Sequence, residues 1–135
     1  MVDVDYLKQI NDKFGHKAGD EAIALVAGKL QQCLRQMDIV ARYGGDEFAA
    51  LLPEAKLETA EAIAKRILDT LNRTIHPQWG PLKASIGVAG TPHEERNKEI
   101  IMKKVDDALY ISKKEGRNRV TSSRKLDEGL VEKDQ

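Results

Sequence analysis

Ile39-Val40-Ala41-Arg42-Tyr43 and Phe48-Ala49-Ala50-Leu51-Leu52 are two short runs of strand-forming residues, separated by Gly44-Gly45-Asp46-Glu47. That spacing and composition predict a tight β-hairpin with a short acidic loop. Upstream, Ile23, Val26, Ala27, Leu30 and Leu34 recur at helical spacing and predict a helix over about 19–36, with Asp20 placed to cap or approach its start. Before it, Val2 to Asp5 alternates apolar and acidic residues, which reads as the end of a strand. Downstream, Ala60, Ile63, Ala64, Ile67, Leu68 and Leu71 make one apolar stripe over 57–73, broken by Pro77 and Gly80. Leu82, Ala84, Ile86 and Val88 then alternate with Lys83, Ser85 and Gly87 as in a strand with one apolar face. A helix over 98–114 carries Ile101, Val105, Ala108 and Leu109, with Gly116 where helices end. A short strand is expected over 119–121, and a polar, frayed tail over 122–135. The order βαββαβ, with one extra helix and strand, predicts an α+β fold: a palm-like sheet of ferredoxin-like type, mainly antiparallel, flanked by helices.

The chain has 135 residues, 41% hydrophobic and 33% charged, which suits one domain with a single core. Lysine plus arginine equal aspartate plus glutamate at 22 each, so no global positive field exists to hold nucleic acid. Phosphate chemistry must therefore use local charges. No apolar run reaches membrane-spanning length, and Met1-Val2-Asp3-Val4-Asp5 is too acidic for a signal peptide; a cytoplasmic location without membrane contact is expected. The single cysteine, Cys33, permits neither a disulfide nor a cysteine metal site and reads as a small core residue.

Asp3, at the end of the first strand, and Asp46 with Glu47, in the hairpin, meet if their strands are neighbours. Hard divalent cations such as Mg²⁺ prefer carboxylate oxygens and share them with substrate phosphates. Such a cluster suits phosphoryl or nucleotidyl transfer. An exposed acidic turn beside a solvated strand end gives the same pattern, and the residues alone leave both open. Gly44 and Gly45 favour the first, since backbone without side chains lets a phosphate come close.

Arg42-Tyr43-Gly44-Gly45-Asp46-Glu47-Phe48 resembles the signature of the GGDEF family of diguanylate cyclases. Three further blocks agree in order: Asp3 to Asp12 with Phe14-Gly15-His16 and Gly19-Asp20; Ser85 to Ala89; and Asp107 to Tyr110 with Lys113 and Gly116-Arg117-Asn118. The resemblance covers Asp3 to Val120. It assigns a GGDEF domain to 1–121 and leaves 122–135 as a tail.

The resemblance implies an enzyme that condenses two GTP into cyclic di-GMP and two pyrophosphates, with Mg²⁺ or Mn²⁺, two ions per active site, in a transient homodimer. Asp3, the carbonyl of Val4, Asp46 and Glu47 are implied metal ligands, and Asp46, Glu47 and Lys8 the catalytic set. Asn11 and Asp20 match the positions that read guanine, an amide and a carboxylate suited to a base with donors and acceptors. Lys8, Lys113 and Arg117 match the triphosphate contacts, with the backbone of Tyr6 and Leu7 alongside. Basic residues at a helix end also offset its dipole, a purely structural alternative for Lys113 and Arg117. Arg35, Asp38 and Arg66 match an inhibitory product site, where an arginine fork binds phosphate or guanine. A helix-exit ion pair and a solvated helix face are the alternatives. His16 receives no role.

The family domain ordinarily opens with a helix and a further segment before the first strand; roughly thirty residues of that pattern have no counterpart here. A catalytically weak or inactive module that binds GTP or cyclic di-GMP is the alternative function, and another palm-like nucleotidyl cyclase a more distant one.

Overall fold

Successive side chains of a strand face opposite sides of its sheet, and in the computed structural model, which describes residues 1–91 and 97–133, helices cover both sides of the central strands. The elements run β1 (Val2–Val4), α1 (Leu7–Phe14), α2 (His16–Cys33), β2 (Ile39–Arg42), β3 (Glu47–Leu51), α3 (Leu57–Arg73), β4 (Ile75–His76), β5 (Gly80–Pro81), β6 (Ala84–Val88), α4 (Lys98–Lys114), β7 (Arg119–Ser122) and α5 (Ser123–Lys133). A five-stranded sheet has the order β2-β3-β1-β6-β7, antiparallel except for the parallel pair β6 and β7. This is the expected α+β architecture, with β1 at its centre.

Val2, Val4, Phe48, Ala84, Ile86 and Val88 pack with Ile23, Val26 and Leu30 of α2 and Ile63, Ile67 and Leu71 of α3 into the main core. Each fully buried leucine or valine there contributes on the order of 2 kcal/mol. The alternate residues of β6, Ser85 and Gly87, face α4. A Cβ at Gly87 would stand 2.6 Å from the Leu109 nitrogen and from the Val105 oxygen, so the helix backbone rests on the strand. Ser112 of α4 donates to the Ile86 carbonyl at 2.8 Å and pairs with Thr121 of β7 at 2.7 Å, which fixes the helix along the parallel strands.

The helix expected over 19–36 is α2, three residues earlier at each end, and it is preceded by a separate α1. Gly15, at φ 92, breaks the two apart. Asp20 consequently lies inside α2, and no side chain caps that helix, so the capping role is excluded. The segment expected to fray is helical over Ser123–Lys133, while residues 134–135 lie outside the described range. Ion pairs hold its first turn: Arg124 reaches Glu61 at 2.6 Å and Glu58 at 2.9 Å, and Lys125 pairs with Glu115. The two-residue strands β4 and β5 form a small hairpin that the Pro77–Gly80 break conceals in the sequence.

Candidate active site

Antiparallel pairing sets Asp3 of β1 directly opposite Glu47, the first residue of β3, and opposite Ser85 of β6. The Val4 amide donates to the Asp46 carbonyl at 2.8 Å, which ties the hairpin loop to the end of β1. Sequence-distant carboxylates are thereby gathered: Asp3, Asp46 and Glu47 each offer an oxygen within 4.8 Å of the others. Asp3 is buried, Glu47 partly buried and Asp46 exposed. An all-oxygen anionic set of this size fits a hard divalent cation that keeps open positions for substrate oxygens.

The loop owes its shape to Arg42, whose guanidinium donates to the Gly44 and Gly45 carbonyls at 3.2 and 2.6 Å, while Tyr43 N–H donates to the Glu47 carbonyl at 2.8 Å. Sequence reading placed Arg42 in the signature but not as this strap. Neither loop glycine has a positive φ, and a Cβ at Gly45 would meet nothing within 4 Å. No constraint inside the protein requires glycine at 45, so the open backbone there leaves room for an outside group.

Lys113 of α4 forms an ion pair with Asp3. Its charge is spent on the carboxylate cluster, so it does more than offset the helix dipole. Arg117 approaches Asp5, at 3.8 Å, and lies over the Tyr6 ring, 5.9 Å from its centroid. Tyr6, at φ 62, caps α1 with no side-chain hydrogen bond, and no acidic residue occupies the first turn, where Leu7 and exposed Lys8 stand. The amides there remain available to an anion. Asn11 lies against α2 at Gly19, the residue before Asp20. A Cβ at Gly19 would collide with the Asn11 amide oxygen at 1.8 Å, so only glycine lets Asn11 lie across α2 there. From Asp20 a groove of about 440 Å³ runs between α2 and the hairpin past Ile23, Val40 and Phe48.

Away from the cluster, Arg35 clasps Asp38 through Nε at 3.1 Å and Nη2 at 2.8 Å, and Nη2 also donates to the Pro53 carbonyl at 3.0 Å. Arg66 donates to the Cys33 carbonyl, two residues before Arg35. The three residues of the expected product site are therefore neighbours, with the ion pair formed. His16 is exposed at the start of α2.

Burial pushes the Asp3 carboxyl up to about 6; the Lys113 hydrogen bond opposes this, and the charges of Asp46 and Glu47 reinforce it. The folded chain thus holds this proton more tightly than the unfolded chain does, so its contribution to stability is full below the unfolded value of 3.8 and is lost as pH rises through 6. A cation must displace that proton. Added Mn²⁺ is accordingly expected to raise the melting temperature more at about pH 8 than at about pH 5. Equal shifts in differential scanning fluorimetry at the two pH values contradict the assignment of Asp3 as a ligand.

No helix among the described residues is long and apolar enough to cross a membrane. The profile of the family described as "Diguanylate cyclase, GGDEF domain" matches residues 1–119. The chain is 42% identical over 125 residues to the diguanylate cyclase DgcM of Escherichia coli K12, covering 91% of this chain and 30% of that protein. It is 37% identical over 122 residues to the diguanylate cyclase DgcP of Pseudomonas aeruginosa, covering 89% of this chain and 18% of the relative. The chain thus spans less than a third of these curated relatives. Among solved structures, the GGDEF domain of DgcB from Caulobacter crescentus in complex with c-di-GMP superposes with a TM-score of 0.84 at 31% identity, covering 91% of this chain and 75% of that one. With the four signature blocks gathered around one acidic cluster and the family profile matched over nearly the whole length, the chain belongs to the GGDEF diguanylate cyclase family.

Proposed function

We propose that the chain is the catalytic domain of a diguanylate cyclase, which joins two GTP molecules into cyclic di-GMP and releases two pyrophosphates. The observation that carries this reading is the Asp3, Asp46 and Glu47 cluster at the hairpin loop, with Lys113 paired to it and Arg117 beside the next turn.

Asp3, Asp46, Glu47 and the Val4 carbonyl would hold Mg²⁺ or Mn²⁺, two ions per site. When bound, such ions supply charge neutralisation at the phosphates and acidify the attacking hydroxyl. Asp46 accepts the proton of the ribose 3′-hydroxyl, assisted by Glu47. The 3′-oxygen then bonds to the α-phosphorus of the second GTP as the bond from that phosphorus to pyrophosphate breaks. Lys113 exchanges Asp3 for a phosphate oxygen, and Lys8, Arg117 and the amides of Tyr6 and Leu7 hold the rest of the triphosphate. Asn11 and Asp20 read the guanine edge. Two copies face each other so that both attacks occur, a two-fold arrangement. Most of the catalytic effect comes from positioning and electrostatics. Pyrophosphate release from GTP and not from ATP, measured with Mg²⁺ present, tests the reading; comparable release from ATP contradicts the guanine assignment.

Cyclic di-GMP is the proposed ligand of Arg35, Asp38 and Arg66, supported by the solved relative that holds this nucleotide. Among the described residues, Nη1 of Arg35 makes no hydrogen bond, which leaves one edge of the fork for the ligand. Arg35→Ala is expected to weaken product binding about a hundredfold and to abolish product inhibition. Superimposable calorimetric titrations of the two proteins would show the motif to be an ion pair only.

A further inference from the structure

Gly116, Arg117 and Asn118 have φ values of 121, 66 and 47. Left-handed backbone is unfavourable for residues other than glycine, and two such residues in succession persist only where surrounding contacts enforce them. The contacts are present. Asn118 N–H donates to Asp5 Oδ2 at 2.8 Å, and the second oxygen of that buried carboxylate accepts from Ser85 Oγ at 2.7 Å. The Asn118 side chain pairs reciprocally with Asn72 of α3, at 2.9 and 3.1 Å, and Asn72 donates a further bond to the Leu82 carbonyl at 3.0 Å. The turn is therefore clamped through its backbone by Asp5, the residue after β1, and through its side chain by α3. The residue so presented is Arg117, with its guanidinium 3.8 Å from Asp5 and over the ring of Tyr6, at the free amides of α1.

We propose that Asp5, Asn72 and Asn118 are positioning residues that hold the Gly116–Asn118 turn so that Arg117 reaches the triphosphate of GTP, without touching the nucleotide themselves. This rests on the GTP-binding reading above. A regular turn would send the arginine elsewhere. Asp3 and Asp5, on one strand end, thus each engage one of the two basic groups, Lys113 and Arg117.

The test uses α,β-methylene-GTP with Mg²⁺, which cannot release pyrophosphate, titrated calorimetrically into the parent, Asn72→Ala, Asn118→Gly, Arg117→Ala and the Asn72→Ala/Arg117→Ala double variant. Asn118→Gly guards against misfolding, because glycine adopts the left-handed turn freely while losing the side-chain clamp. Each clamp variant is expected to keep the parent circular dichroism and to lose about tenfold in affinity. The double variant is expected to bind no more weakly than Arg117→Ala alone, since the clamp acts only through that side chain. Unchanged affinity in both clamp variants, or losses that add in the double variant, would overturn the proposal. Should the parent bind no nucleotide, the functional reading fails while the positioning claim is still decided by ¹⁵N relaxation. Arg117 Nε–H and Asn118 N–H rigid in the parent and mobile in Asn72→Ala uphold it; unchanged order overturns it.

Discussion

Asp46→Ala is expected to lower cyclic di-GMP synthesis by on the order of a thousandfold while the domain stays folded. Asp46 is exposed, and the contact that anchors its loop uses its carbonyl oxygen, which accepts from Val4 N–H and survives the substitution. The Arg42 strap likewise engages the Gly44 and Gly45 carbonyls and not the Asp46 carboxylate. Stability should therefore change by no more than about 0.5 kcal/mol, as at an ordinary surface position. What is lost is one of the three carboxylates that converge within 4.8 Å, along with the group proposed to take the 3′-hydroxyl proton. Initial rates at saturating GTP, beside a thermal melt of both proteins, check the two halves of the claim. A variant that keeps the parent rate removes Asp46 from the site.

Turnover per molecule is expected to fall on dilution, and fusion behind a dimerising coiled coil is expected to raise it about 10- to 100-fold at low concentration. Among the described residues one acidic cluster that could hold metal is present, whereas the proposed reaction consumes two nucleotides. On that reading one chain holds half of the reacting pair. The hairpin loop from Tyr43 to Asp46 is exposed throughout, so a second copy can approach the cluster face to face. In the proposed reaction association would supply the second GTP in register for both attacks, and tethering would replace a weak encounter by a high effective concentration. Specific activity and mass should be followed together by a dilution series with light scattering. A rate per molecule that is constant across the series, with a monomeric mass throughout, contradicts the two-chain mechanism.

Much of the fold was legible because its elements carry unbroken patterns. Helices α3 and α4 match the expected 57–73 and 98–114 to the residue, since their apolar stripes end at clear breaks. In the hairpin, β2 ends one residue earlier than expected, at Arg42, and β3 keeps its expected length but starts one residue earlier, at Glu47. Short or remotely held elements are harder to see. Helix α1 spans eight residues, with Leu7, Ile10 and Phe14 half-buried on one side and none fully buried, too short a run to stand apart from α2, which follows after Gly15 alone. Helix α5 is held at its start by ion pairs of Arg124 to Glu61, 63 residues away, and of Lys125 to Glu115, 10 residues away across β7, which no local periodicity reveals.

The site divides in the same way. Asp3, Asp46 and Glu47 could be named because strand pairing brings residues of one chemistry to one sheet end. The clamp on Arg117 could not, because its bonds span 113 residues between Asp5 and Asn118 and 46 between Asn72 and Asn118. In that turn the left-handed Arg117 leaves no compositional mark either, and Asn118, a residue that tolerates such backbone, only a weak one.

The central claim is tested most directly by incubating the chain with GTP and Mg²⁺ and following all products by mass spectrometry. One cyclic di-GMP and two pyrophosphates for every two GTP consumed, abolished by excess chelator, is the expected result. GTP left intact after prolonged incubation at high protein concentration, or cyclic di-GMP formed equally in excess chelator, would contradict it.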